Sequence, residues 1–173
     1  MPLGPAVREG DVAELRAVDR RAALPPGTTS AYFRTRAALL TALVTRLVQL
    51  DQAELGSAAE ELPPLRTAEE LVEGMARLAR RRLTGEGRRR SLARHACAVE
   101  SVRDPELREI LTPRENAGRA AVRQFLATHG APDVENRTHT LLTCLDGLVF
   151  DRLVSGGDVP REALEGLAAA ALR

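Results

Sequence analysis

Lysine is absent from this chain: all 25 basic residues are arginine. Together with abundant alanine, that bias fits a GC-rich bacterial genome and says nothing about activity. Aromatic residues are scarce, at 2%, so a core has to be assembled from Leu, Val and Ala, which favours helix packed on helix. Only Cys97 and Cys144 are present, far apart and without a CxxC motif, and they read as reduced, buried thiols of a cytoplasmic protein. No run approaches about 20 uninterrupted apolar residues, which argues against a transmembrane helix. The opening MPLGPAVREGDVAEL has neither the basic start nor the apolar core of a signal peptide, so none is expected. Alternation with period two is missing as well, which argues against a sheet. The motifs of the commoner enzymes are also lacking: there is no Gly-x-Ser-x-Gly, no phosphate-binding loop and no glycine-rich dinucleotide turn. His95, His129 and His139 have no metal-ligand spacing, and His95 and Cys97 point in different directions on a helix. No catalytic residue, metal or cofactor is expected.

What remains is an ordinary globular composition, 44% apolar and 28% charged over 173 residues with a net charge of +1. The charge is unevenly placed. Between Leu15 and Arg46 six arginines stand against Asp19 alone, as a localised phosphate-facing surface would require. Helical spacing recurs throughout. Helices are expected over 12–23 and 26–33, the second with Pro26 in its first turn. Thr35 is expected to cap a long helix to about Ala59, carrying Leu39, Leu43, Leu47 and Leu50 beside Leu40, Val44 and Val48. After the Pro63-Pro64 boundary, Thr67-Ala-Glu-Glu70 reads as a capping box for a helix to Leu83. Further helices are expected over 88–102, briefly after Asp104-Pro105, from a second capping box at Thr112–Glu115 to about Gly130, from Asp133 to Val154, and from 160 to 172. The fold class is all-α.

One stretch is more specific. In ALPPGTTSAYFRTRAALLTAL, a Pro-Pro-Gly turn leads into Thr28, Thr29, Ser30 and Tyr32, then Arg34 and Arg36, then an apolar helix. This resembles the helix-turn-helix end of TetR/AcrR-type transcriptional regulators, with Gly27-Thr28, Phe33, Thr35-Arg36 and Leu39 at matching positions and RAVDRRAAL as the preceding helix. The later TLLTCLDGLVFDRLV resembles the family's penultimate, dimer-forming helix. Three positions depart from the family: Ala23 replaces the turn glycine, Ser30 stands at a phosphate-binding tyrosine and Tyr32 at a histidine. The family also carries a further amphipathic helix ahead of the pair. About fifteen residues precede it here, so an incomplete first helix and a destabilised reading head are expected.

The resemblance implies an N-terminal helix-turn-helix DNA-binding domain over 1–46 and a larger helical ligand-binding and dimerisation domain over 47–173. It implies a ligand-responsive regulator, a repressor binding a palindrome in double-stranded DNA as a homodimer. Thr28, Thr29 and Ser30 are expected at bases, and Tyr32, Arg34 and Arg36 at phosphates. A small apolar or amphipathic effector is expected among Met75, Leu92, Cys97, Phe125, Leu142 and Phe150. The helix over 140–154 is apolar nearly all round, and with the Leu164, Leu167, Ala168, Ala171 and Leu172 stripe it suggests half of a four-helix bundle closed by a second subunit. Asp146 on that helix reads as a partner for an arginine across a dimer interface, with contact to a ligand as the alternative. The arginine triplets at 80–82 and 88–90 read as solvated helix ends. The alternative is a dimeric helical ligand-binding or interaction protein that has lost DNA binding.

Overall fold

The computed structural model describes residues 9–61, 64–111 and 115–173, with only the backbone described at 9–11 and 58–61. All regular structure among these residues is helical: α1 (Glu9–Arg21), α2 (Thr28–Tyr32), α3 (Arg36–Glu61), α4 (Ala68–Leu83), α5 (Gly85–Ser101), α6 (Pro105–Leu111), α7 (Ala117–Thr128), α8 (Val134–Ser155) and α9 (Arg161–Leu172).

The helix starts follow local chemistry. Thr67 forms the expected capping box: its hydroxyl accepts from the Glu70 amide at 3.1 Å and the Glu70 carboxylate accepts from the Thr67 amide at 3.1 Å. Thr35 caps α3 through the Ala38 amide at 3.2 Å. For α7 the cap is Asn116, which accepts from the Arg119 amide at 2.9 Å; Thr112 to Arg114 of the expected capping box lie outside the described residues. Asp133, expected to cap α8, has a left-handed backbone and makes no side-chain cap hydrogen bond. The corner between α4 and α5 is tighter than the sequence suggests. α5 begins at Gly85 rather than Arg88, because Gly87 runs against the backbone of α4, where a Cβ would lie 1.9 Å from the Arg81 carbonyl oxygen.

Two main cores organise the described residues, beside a minor cluster of Ala79, Val149 and Leu153. The larger joins Leu71, Val72 and Met75 of α4, Val122, Phe125 and Leu126 of α7, Leu141 and Leu145 of α8, and Leu164, Ala168 and Ala171 of α9. Burying aliphatic side chains of this kind is worth about 1.5–3 kcal/mol each. The smaller core joins Val44 and Leu47 of α3, Cys97 of α5, and Leu107 and Leu111 of α6. α3 therefore packs on α5, α6 and α7 while also touching α1. It runs unbroken through residue 46, so the front of the chain is carried on a helix rooted in the rear.

α8 resolves its nearly uniform apolarity by a four-residue period. Thr138, Leu141, Leu145, Val149 and Leu153 are buried, while Cys144, Phe150 and Val154 on the far side are exposed. Cys144 is thus a surface thiol, not the buried one expected. On α9 the expected stripe is divided: Leu164, Ala168 and Ala171 are consumed by the chain's own core and Leu167 is left half-buried.

Candidate nucleic-acid interface and interior cleft

The front of the molecule is a short helix, a turn and a shorter helix held together by one carboxylate. α1 ends in a backbone reversal at Ala23, with the Ala23 amide donating to the Arg20 carbonyl at 3.3 Å and the Leu24 amide to the Asp19 carbonyl at 2.9 Å. That pair of bonds is the helix-ending arrangement in which glycine normally takes the left-handed position; here Ala23 takes it, at φ 55. Asp19 is 2% exposed. Its Oδ2 accepts from the Gly27 amide at 2.8 Å, and its Oδ1 accepts from the Thr29 amide at 2.8 Å and the Thr29 hydroxyl at 2.5 Å. A carboxylate at the start of α2 satisfies amide donors that the helix leaves free. The Thr29 hydroxyl, followed by the amides of Thr29 and Gly27, holds its pKa below the ordinary aspartate value against the opposing effect of burial.

This geometry corrects the assignment of Thr29 to bases. It is 6% exposed with its hydroxyl turned onto Asp19. Thr28 and Ser30 remain accessible in different degrees, with hydroxyls donating to the Pro25 and Gly27 carbonyls at 2.7 and 3.0 Å. Tyr32 is 80% exposed, and Arg34 is exposed beside it. Arg36 is engaged within the chain. Its Nε lies 2.7 Å from Glu14 Oε2 of α1, and its terminal nitrogens lie 2.8 and 3.4 Å from the two Glu100 carboxylate oxygens at the end of α5. Glu100 is drawn below the ordinary glutamate pKa first by that hydrogen bond, and Arg36 is raised by it. In this form Arg36 joins three helices instead of offering its guanidinium to phosphate.

The six residues expected around an effector are not brought together. Met75 and Phe125 are buried in the larger core with Leu142 packed against it, and Cys97 sits in the smaller one. Leu92 and Phe150 are exposed, Phe150 with its ring centroid 4.7 Å from that of His95. A larger hollow of about 290 Å³ lies between α8 and α9, and a separate cleft of about 60 Å³ is bounded by α3, α4, α5 and α8. Its walls are charged: Asp51 and Glu54 from α3, Arg81 and Arg82 from α4, Arg90 and Arg94 from α5, and Asp146 from α8, with Leu55, Leu78 and Val149 supplying an apolar side. Glu54 bridges Arg81 and Arg90, each at 2.9 Å, and Asp51 lies 3.2 Å from Arg94. Asp146 pairs with Arg82 of the same chain, not with an arginine across a subunit interface as expected.

The arginine triplets are therefore more than solvated helix ends. Arg81, Arg82 and Arg90 form these bridges, and Arg88 donates to the Leu153 carbonyl at 3.2 Å near the end of α8. Sequence reasoning missed Asp19, Glu100 and the whole charged cleft. Only Asp19 had a signal, as the lone acid in a basic segment.

No curated protein and no solved structure matches the chain. A family model does, over residues 66–173, which takes in α4 through α9 with their larger core and three walls of the cleft. It is described as the tetracyclin repressor-like C-terminal domain. The all-helical architecture agrees with the match, a helical N-terminal region precedes it, and the chain belongs to the tetracyclin repressor-like family.

Proposed function

We propose that the chain is a ligand-responsive transcriptional regulator, a cytoplasmic repressor that binds palindromic DNA as a homodimer. In this reading residues 1–46 form the DNA-reading unit and 47–173 the effector and dimerisation unit. The observation that carries it is the head itself. A buried Asp19 clamps α2 against α1, leaving Ser30, Tyr32 and Arg34 on the outer side with the exposed Arg16, Arg20 and Arg21 of α1 nearby in sequence. Short hydroxyls suit base edges, and tyrosine and arginine suit phosphates. A helix of five residues has little stability of its own; the Asp19 bonds are what fix its orientation.

The test is a gel shift with the intergenic DNA beside the gene across a salt series. A specific shift should weaken steeply with salt, and Arg34→Ala should lower the slope of log K against log salt by about one. An absent shift, or one indifferent to salt, overturns the reading. One observation favours a second reading, a dimeric helical ligand-binding protein without DNA affinity: of the six residues expected at DNA, Thr29 is buried and Arg36 is paired inside the chain. The same experiment decides between the two.

A further inference from the structure

The cleft between α3, α4, α5 and α8 is built for an ion more than for an oil. Four arginines face three carboxylates around it, leaving one positive charge without a counterpart on its walls. His95 does not change that balance at neutral pH, since burial, ahead of the neighbouring charges, pushes its pKa below the ordinary histidine value. Arg90 is the most enclosed of the four guanidinium groups, with its side chain 21% exposed. One of its terminal nitrogens is held by Glu54, while its Nε is buried with no hydrogen-bond partner among the described residues. Buried donors of this kind ordinarily find an acceptor. Ser91, buried on the next position of α5, also lines the space.

We propose that this cleft binds a small monocarboxylate, its head group received by the arginines of α4 and α5 and its short tail lying against Leu55, Leu78 and Val149. The guanidinium fork matches a planar carboxylate through paired N–H donors, which a spherical anion cannot use. Size sets the upper bound, because about 60 Å³ is less than half of the roughly 150 Å³ that holds a benzene-sized molecule, so acids of about two or three carbons fit and longer or aromatic acids do not. The assignment rests on the ligand-responsive reading above and names the class of its ligand.

The test uses the full chain without DNA, titrated with sodium acetate, propionate and butyrate at constant ionic strength, following thermal unfolding and heat of binding. Sodium chloride, phosphate and octanoate serve as comparisons. Acetate or propionate should give a saturable upward shift in Tm that butyrate and the comparisons do not. Arg90→Gln should weaken the apparent Kd at least ten-fold. Ser91→Val, which narrows the cleft without removing an ion pair, should do the same and covers the case in which the arginine variant fails to fold. An equal response to chloride or phosphate, or wild-type affinity in a folded variant, overturns the proposal. A parallel gel shift separates the two ideas. Carboxylate binding with no DNA binding retains the cleft and removes the regulator, whereas DNA binding with no carboxylate response does the reverse.

Discussion

At the scale of single residues, the head is shaped by an aspartate that belongs there and an alanine that fits poorly. Asp19 acts twice, closing the end of α1 with its carbonyl and the start of α2 with its carboxylate. Ala23 stands between these bonds in a left-handed conformation, at φ 55, where an L side chain meets the following carbonyl at a cost of about 1–2 kcal/mol. Its side chain is exposed, so replacing it loses no packing. Ala23→Gly relieves that strain but adds freedom to the unfolded chain, which offsets about 0.4–1 kcal/mol of it. The net effect should be a stabilisation of about 0.5–1 kcal/mol, seen as a Tm increase of about 1–4 °C in a chain of this size. A lowered Tm would show that the methyl group has a packing role.

At the scale of helices, α5 links the two functional regions. Its first half lines the cleft through Arg90, Ser91, Arg94 and His95, and its end carries Glu100, which holds Arg36 at the start of α3. Arg36 cannot serve Glu100 and a phosphate together, so on the proposed function Glu100 competes with DNA. Both partners are well exposed, at 39% and 46%, and such pairs are worth about 0.2–1 kcal/mol. Glu100→Gln should therefore tighten DNA binding by up to about five-fold, with little change in Tm; unchanged or weaker DNA binding would remove the competition. Much at this scale was legible in the sequence, because Thr67, Thr35 and the recurring leucines act within a few residues of themselves. The pairing of α4 with α5 was not, since it depends on Gly87 meeting the backbone of Arg81 at the end of the preceding helix. Nor was the cleft: its ion pairs join α3 to α4 and α5, and α8 to α4, across sequence separations at which charge pattern has no fixed period. The apolar effector residues are scattered for a related reason. Met75 and Phe125 are apolar because they fill the larger core, and sequence alone does not distinguish filling a core from lining a cavity.

At the scale of the whole molecule, the proposed homodimer would use the outer face of α8 to present two heads together. Thr140, Thr143, Cys144, Gly147, Phe150 and Val154 follow one another along it, all exposed, with Val154 at 74%. On the neighbouring α9, Gly166, Ala169 and Ala170 are exposed and small, so a second copy could approach closely around a two-fold axis and bury both helices in a four-helix arrangement. Gly147 separates that possibility from simple surface exposure. A Cβ at this position meets nothing within 4 Å, and arginine is a good helix former whereas glycine is about 0.8–1 kcal/mol worse than alanine. In an isolated chain Gly147→Arg should therefore keep the fold and leave Tm equal or slightly raised. Across a two-fold axis the same substitution sets two guanidinium groups near each other inside an apolar seam, where unpaired charge is strongly disfavoured. Light scattering on a sizing column should show the unaltered chain at twice its 18.7 kDa mass and the variant at a single mass, with unchanged circular dichroism and a lost shift on palindromic DNA. A wild-type chain that elutes as a monomer, or a variant that still pairs, would mean that this face does not join the heads and that the DNA-binding form is assembled by another surface.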